Sequence, residues 1–101
     1  MSSSVLDLKK PKAVSVTVGS KAFTVVLSDG REILTPIDWF PRLLHGTAKE
    51  RSHYRLIGGG EGIHWPDLDE DVSVEGILAG RPSIESRHSI ERWLSTRKKR
   101  A

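Results

Sequence analysis

The residues of this chain best able to do chemistry lie close together. His64 is followed by Asp67, Asp69 and Asp71, so one imidazole and three aspartates lie within a stretch of eight residues. An imidazole held by a carboxylate can act as a general base, and neighbouring carboxylates can bind a divalent cation. This spacing raises the hypothesis of a metal-assisted hydrolase built on these four side chains.

The surrounding residues do not complete a catalytic or metal-binding motif. A calcium loop starting at Asp67 would need glycine at its sixth position and glutamate at its twelfth, where the chain has Val72 and Leu78. The four histidines lack metal-ligand spacing, and no Gly-x-Ser-x-Gly sequence is present. The absence of cysteine excludes disulfides and thiolate chemistry. We therefore predict no enzyme activity, no metal site and no cofactor, with the hydrolase kept as an alternative.

Three consecutive glycines, Gly58–Gly60, come shortly before this segment. Phosphate-binding loops lead into a helix and continue with Gly-Lys-Ser/Thr, because the helix N-terminus binds the anion. Here the glycines lead into the strand-like run Gly62–Trp65, and no such continuation follows. The pattern predicts a hairpin turn.

Charge is arranged in three blocks. Residues 1–60 contain nine Lys/Arg and five Asp/Glu, residues 61–80 contain six acids and no Lys or Arg, and residues 81–101 contain seven bases and two acids. The central acidic block predicts a surface that faces a basic protein partner. The candidate interaction surface comprises Glu61, His64, Trp65, Asp67, Asp69, Glu70, Asp71 and Glu75.

Two alternatives to this surface stay open. Acids that follow a proline can form Asx turns, cap a helix or pair with Arg42, Arg51 or Arg55, and would then serve local structure only. The basic C-terminus can contact phosphates, although no aromatic residue is interleaved and no helix-turn-helix pattern precedes it. Its candidate nucleic-acid contacts are Arg97, Lys98, Lys99 and Arg100.

The elements that must position these residues begin with a predicted three-stranded meander. The strands are Ala13–Val18, Ala22–Leu27 and Arg31–Thr35. Alternation places Val14, Val16 and Val18 on one face of the first strand. Asp29-Gly30 favours a two-residue primed turn, which sets Val26 opposite Ile33.

Helices and a second hairpin follow. Asp38 is a candidate N-cap for a helix stopped by Gly46, and Thr47 to Glu50 form a capping box. The apolar face of the first helix is Trp39, Phe40, Leu43 and Leu44, and the second helix ends near His53. The remaining elements are a hairpin of Tyr54–Ile57 and Gly62–Trp65, a helix with Val74, Ile77 and Leu78 ending at Gly80, and a last helix with Ile90, Trp93 and Leu94 capped by Ser83 or Ser86.

This order predicts an α+β fold: a small antiparallel sheet, made of the N-terminal meander plus a second hairpin, with short inserted helices and a C-terminal helix. We expect a flexible lead-in over residues 1–12, a single domain over 13–96 and a basic tail over 97–101. No apolar run is long enough for a signal peptide or a membrane span, and the lack of cysteine fits a reducing compartment, so we expect a cytoplasmic protein without membrane contact.

Four segments carry a resemblance to a known family: Asp29–Ile33, Pro36–Leu44, Ile57–Asp71 and Ser73–Gly76. Their most specific string is Gly-Gly-Gly-x-Gly-Ile-His-Trp-Pro-Asp-Leu-Asp-Glu-Asp, over residues 58–71. The chain resembles the small bacterial family catalogued as domain of unknown function twenty-four forty-two over about Val14 to Gly80.

The resemblance implies a compact α+β domain with no established enzymatic activity. It also implies a frequent genetic setting beside a second small protein, in toxin–antitoxin-like pairs. Some members of the family carry a helix-turn-helix that this chain lacks, which argues against direct gene regulation. Together with the charge pattern, this favours a non-catalytic protein-binding module, the antitoxin-like half of a two-protein system. Its expected partner is a basic protein encoded nearby.

Overall fold

The computed structural model describes residues 10–100 and contains two three-stranded antiparallel sheets. The strands are β1 (Ala13–Val18), β2 (Ala22–Leu27), β3 (Glu32–Pro36), β4 (Arg55–Ile57), β5 (Gly62–Trp65) and β6 (Glu70–Ser73). The helices are α1 (Pro41–Leu44), α2 (Ala48–Ser52), α3 (Val74–Leu78) and α4 (Arg87–Arg100), and 3-10 turns cover Ile37–Trp39 and Gly58–Gly60. The predicted α+β class is confirmed, and β6 adds a third strand to the predicted second hairpin.

The predicted domain boundaries extend beyond the described part of the chain. Residues 1–9 of the lead-in and residue 101 of the tail lie outside it. The boundaries at residues 13 and 96 stay predictions. Among residues 10–100, no helix is both long enough and apolar enough to cross a membrane.

The turn between β2 and β3 has three residues, not two. Val26 pairs with Glu32, so the loop is residues 28–30, and the predicted pairing of Val26 with Ile33 is wrong by one position. Three-residue hairpin loops need a left-handed residue only at their last position. Gly30, with φ of +94°, occupies that position.

A β-bulge in β1 changes the face of one valine. The register shifts between Ala13 and Ser15, leaving Val14 as the extra residue. Val14 is therefore 56% exposed, and its predicted place on the same face as Val16 and Val18 is wrong. Beyond the bulge the alternation resumes, with Val16 buried and Val18 half-buried. A bulge has this effect because two residues on one strand then oppose one on the other.

The core lies between the inner faces of the two sheets, around Trp65, which is completely buried. The Phe23 ring packs edge-on against Trp65 at 5.7 Å between centroids. The indole Nε1 donates a hydrogen bond to the Arg51 carbonyl at 2.8 Å, which satisfies the one polar atom of this side chain. The other large, fully buried side chains are Phe23, Val25, Leu27, Ile37, Leu43, Ile63 and Leu68.

Local helix signals were predicted with mixed success. The capping box of α2 is present, with Glu50 N donating to Thr47 Oγ1 and Thr47 N donating to the Glu50 carboxylate. Gly80, with φ of +72°, ends α3 as expected. Asp38 does not cap a helix, because it lies inside a 3-10 turn and α1 starts after Phe40 with no side-chain cap.

The turn Gly58–Gly60 leads from β4 to β5 as predicted and also packs against the start of β1. Gly60 has φ of +101°, and a Cβ added there would lie 2.5 Å from the Ala13 carbonyl oxygen. The main chain of this turn therefore approaches β1 as closely as glycine allows. This contact brings the two sheets together.

Candidate functional site

The predicted acidic surface is divided between two grooves. Groove A, of about 540 Å³, lies between residues 69–73 and the irregular segment 81–85, with Phe40, Arg42, Gly76 and Ile77 completing its lining. Groove B, of about 690 Å³, is lined by Lys10, Pro11, Glu61, Ser73, Val74, Glu75, Leu78 and Ala79. The predicted surface residues Asp69, Glu70 and Asp71 thus belong to groove A, whereas Glu61 and Glu75 belong to groove B.

Glu70 is a half-buried acid of groove A. It pairs with Trp65 in the β5–β6 ladder, and side chains of paired residues lie on the same face, so Glu70 points to the inner side of the sheet. Burial, with the nearby Glu85 carboxylate, raises the pKa of Glu70 to about 7, against the lowering effect of Arg42. Among the side chains of residues 10–98, its carboxylate forms no ion pair or hydrogen bond.

Arg42 is the nearest arginine, but Glu85 engages it. Arg42 Nε donates to Glu85 Oε1 at 2.8 Å and Nη2 donates to Oε2 at 2.6 Å, while Nη1 donates to the Leu68 carbonyl at 3.3 Å. These charge-assisted bonds hold the pKa of Glu85 below its usual range. Asp69 makes only a long contact with Arg42, with 3.9 Å between Asp69 Oδ2 and Arg42 Nη1.

The predicted histidine and aspartates form two separate pairs. His64 Nδ1 lies 2.5 Å from Asp71 Oδ1, its ladder neighbour on the outer face of the sheet. His53 Nδ1 lies 2.7 Å from Asp67 Oδ2. In the described residues, no three His, Asp or Glu side chains are grouped so that they could hold a metal ion. The four side chains of the hydrolase hypothesis therefore do not converge.

Two residues of the predicted interaction surface, Trp65 and Asp69, differ from the others in burial or in backbone conformation. Trp65 is fully buried in the core, so its proposed role at an interaction surface is wrong. Asp69 is exposed and has φ of +50°, in the left-handed region that aspartate tolerates. It occupies the turn that leads into β6.

The basic C-terminal residues are only partly free. Arg97 donates to the Glu50 carboxylate at 2.8 and 3.2 Å and stacks on the Trp93 ring at 4.8 Å. A phosphate contact by Arg97 would have to break this pair. Lys98 is exposed, and the side chains of Lys99 and Arg100 lie outside the described part of the structure.

Sequence reasoning missed the arrangement around Trp93. The Arg42 guanidinium also lies over the Trp93 ring, with Cζ 4.9 Å from the ring centroid. Trp93 therefore packs against two guanidinium groups, those of Arg42 and Arg97, and each of these is paired with a glutamate. The four-residue spacing of Trp93 and Arg97 on a helix was a signal for half of this cluster. The contribution of Arg42 comes from a distant segment, and no local pattern reveals it.

The model of the family described as Protein of unknown function (DUF2442) matches residues 13–83. The chain belongs to the DUF2442 family. This match spans both sheets and most of the residues that line the two grooves, and it ends before α4.

Two solved structures are similar to this DUF2442 chain. A crystal structure of a protein of unknown function from Rhodospirillum rubrum is 24% identical, with a TM-score of 0.66, covering 79% of this chain and 96% of that chain. A solution NMR structure of an uncharacterized protein from Chromobacterium violaceum is 23% identical, with a TM-score of 0.67, covering 88% and 82%. These likenesses show a shared fold. No curated protein matches the chain.

Proposed function

We propose that this DUF2442 protein is a non-catalytic protein-binding module whose groove A receives a basic segment of its partner. The observation that carries the proposal is Glu70, a half-buried carboxylate in a groove with no cation paired to it among the side chains of residues 10–98. Desolvating a carboxylate without a partner is unfavourable. A lysine or arginine from another protein would supply the missing counter-charge.

The charge balance of groove A supports the same conclusion. Four carboxylates line it, Asp69, Glu70, Asp71 and Glu85, against the two guanidinium groups of Arg42 and Arg81. Glu85 already neutralises one of these guanidinium groups. Apolar side chains beside the carboxylates would accept the aliphatic stem of a long basic side chain.

The proposal extends to an antitoxin-like role in a two-protein system. The family resemblance implies a frequent position beside a second small protein, and a basic product of the adjacent gene would be the partner that groove A fits. An acidic groove steers such a partner and suppresses binding of polyanions.

Selection from a displayed library of random twelve-residue peptides tests the proposal. We expect the selected peptides to be enriched in Lys and Arg. Their affinity for the groove A variant Glu70→Gln/Asp71→Asn should be about tenfold lower, because this variant removes two charges that a cation would contact. The matched control, Glu61→Gln/Glu75→Gln, removes two carboxylates from groove B and should leave the affinity within about twofold. Selection of no basic peptides, or equal losses in both variants, would overturn the proposal.

A further inference from the structure

β6 is an edge strand whose free side opens into groove A. It pairs only with β5 in the order β4-β5-β6, and residues 69–73 all contribute to the groove lining. The opposite wall is the segment 81–85, held in place because Ser83 N donates to the Trp39 carbonyl at 2.9 Å. One whole strand therefore borders an open groove.

The main chain of β6 has unused hydrogen-bonding groups on this free side. Val74 N donates to the Glu61 carbonyl at 2.9 Å, beside the β5–β6 pairs. Because main-chain groups alternate in direction along an antiparallel ladder, Val72 then points its N–H and C=O to β5, and Asp71 and Ser73 point theirs away. Asp71 and Ser73 are exposed. Ser73 is the N-cap of α3, so its C=O accepts the first hydrogen bond of that helix and is not free. The groups left free are the N–H and C=O of Asp71 and the N–H of Ser73, which form no bond to a turn or loop main chain among residues 10–100.

We propose that a basic, extended segment of a partner protein adds to this sheet as a fourth strand, paired with β6 along groove A. This inference rests on the proposed function and specifies how the segment is held. The outward N–H and C=O of Asp71 and the outward N–H of Ser73 pair with the main chain of the segment. Strand addition of this kind takes affinity from main-chain hydrogen bonds and specificity from alternate side chains.

The side chains beside β6 define the sequence of the added segment. On the inner face, a residue next to Glu70 must be basic, and a residue next to Val72 must be apolar because Ile77 and Phe40 also line the groove. On the outer face, a residue next to Asp71 must be basic. Residues that lie side by side on neighbouring strands share a face, so three consecutive residues of the segment lie beside Glu70, Asp71 and Val72. The segment therefore contains two adjacent basic residues with an apolar residue next to them, before or after according to the direction of the added strand.

Charge also decides the class of occupant. A second copy pairing through β6 would place Glu70 and Asp71 against identical carboxylates, and like charges directly opposite each other destabilise a sheet. A nucleic acid would bring phosphates to the same carboxylates. A basic peptide segment is the occupant with complementary charge and with a main chain able to pair.

The test uses one designed peptide, acetyl-Ser-Thr-Val-Lys-Arg-Val-Thr-Ser-amide, and two versions that are N-methylated at alternate residues. An added strand directs every second N–H to β6, so only one methylated set should interfere. We expect fluorescence anisotropy to show that one methylated peptide loses about tenfold or more in affinity, and the other less than about threefold. Both peptides keep the same charges and side chains, so the difference reports the main-chain hydrogen bonds alone.

Variants of the protein provide an independent readout. Asp71→Pro removes the charge and the outward N–H of this residue but no hydrogen bond to β5, and edge strands tolerate proline at such a position. Asp71→Asn removes the charge alone. We expect Asp71→Pro to bind the peptide more weakly than Asp71→Asn, with thermal unfolding confirming that both are folded. If Asp71→Pro does not fold, amide exchange in the unaltered protein replaces it. The peptide should then slow exchange at Asp71 and Ser73.

The outcomes separate the two proposals. Equal affinities of the two methylated peptides, or equal losses, would overturn strand addition. Failure of the designed peptide to bind, when the library does yield basic peptides, would also overturn strand addition and leave the proposed function standing. If the library yields no basic peptides, the proposed function itself fails.

Discussion

Glu70 shows how one side chain can be set apart from its neighbours by strand alternation. Its sequence neighbours Asp69 and Asp71 are exposed, whereas Glu70 shares the inner face of β6 with the buried Val72. Besides burial, the charges of Glu85, Asp71 and Asp69 raise its pKa, and the charge of Arg42 lowers it. Its raised pKa is therefore a consequence of position in the sheet and not of residue type.

We expect this carboxylate to make stability depend on pH. The folded protein holds the Glu70 proton with a pKa of about 7, above the ordinary value of 4.5, so the free energy of unfolding falls as pH rises through this interval. Glu70→Gln should remove that loss. After allowance for solvent at this half-buried group, we expect Glu70→Gln to be more stable than the unaltered protein by on the order of 1 kcal/mol at pH 8.

Urea denaturation at pH 4 and pH 8 checks this expectation. At pH 4 the carboxyl group is mostly protonated in both states, so Glu70→Gln and the unaltered protein should be nearly equal in stability. The matched control is Glu75→Gln, which changes an exposed glutamate. A gain in stability that is the same at both pH values would contradict the assignment to Glu70 ionisation.

At the scale of elements, α4 is held to the rest of the molecule largely by polar groups. Ile90 is its one buried residue among those described, and Trp93 and Leu94 are half-buried. Arg42 and Arg97 stack on Trp93, while Glu85 bonds to Arg42 and to Ser89 of the helix. The helix is thus fixed by stacking and charge where most helices of small domains rely on an apolar stripe.

We expect Trp93→Ala to loosen this helix. Removing the ring eliminates its packing and both cation–π contacts, for an expected loss of about 2–3 kcal/mol in the free energy of unfolding. Lys98→Ala changes an exposed residue on the same helix and should stay within about 0.5 kcal/mol of the unaltered protein. Equal effects of the two changes in urea denaturation would show that Trp93 does not secure α4.

Elements also show what could be predicted from sequence and what could not. The capping box at Thr47 and the stop at Gly80 depend on residues a few positions apart, so local pattern was sufficient. β6 was missed because two acids in four residues suggest a turn, and only pairing with β5 and burial of Val72 make the segment a strand. Groove A was unpredictable for a related reason, since its walls come from segments far apart in the chain.

At the scale of the whole molecule, the three charge blocks do not neutralise one another evenly. The ion pair of Arg97 with Glu50 links the two basic blocks, and so does that of Arg42 with Glu85. Among the described residues, the acidic block has only the 3.9 Å contact of Asp69 with Arg42 and its two histidine pairs. Folding therefore leaves the field of the acidic block largely in place.

We expect this field to accelerate association with a basic partner. Glu61→Gln/Glu70→Gln/Glu75→Gln should slow association with the peptides selected by the library and flatten the dependence of the on-rate on salt, because surface charges act mainly before contact. The difference should shrink near 1 M salt, where the Debye length is about 3 Å. Stopped-flow measurements over a range of salt concentrations check this. On-rates that match those of the unaltered protein at low salt would show that the acidic field does not guide the partner.

The close approach of Gly60 to β1 bears on how this family evolves. Any side chain at that position would overlap the Ala13 carbonyl, so selection must keep a glycine there for as long as the two sheets meet in this way. The acids that line groove A are under no such steric requirement, because side chains there do not enter the contact between the sheets. The glycine at position 60 is therefore tied to the architecture itself, whereas the acids at positions 70 and 71 can be replaced without closing that contact.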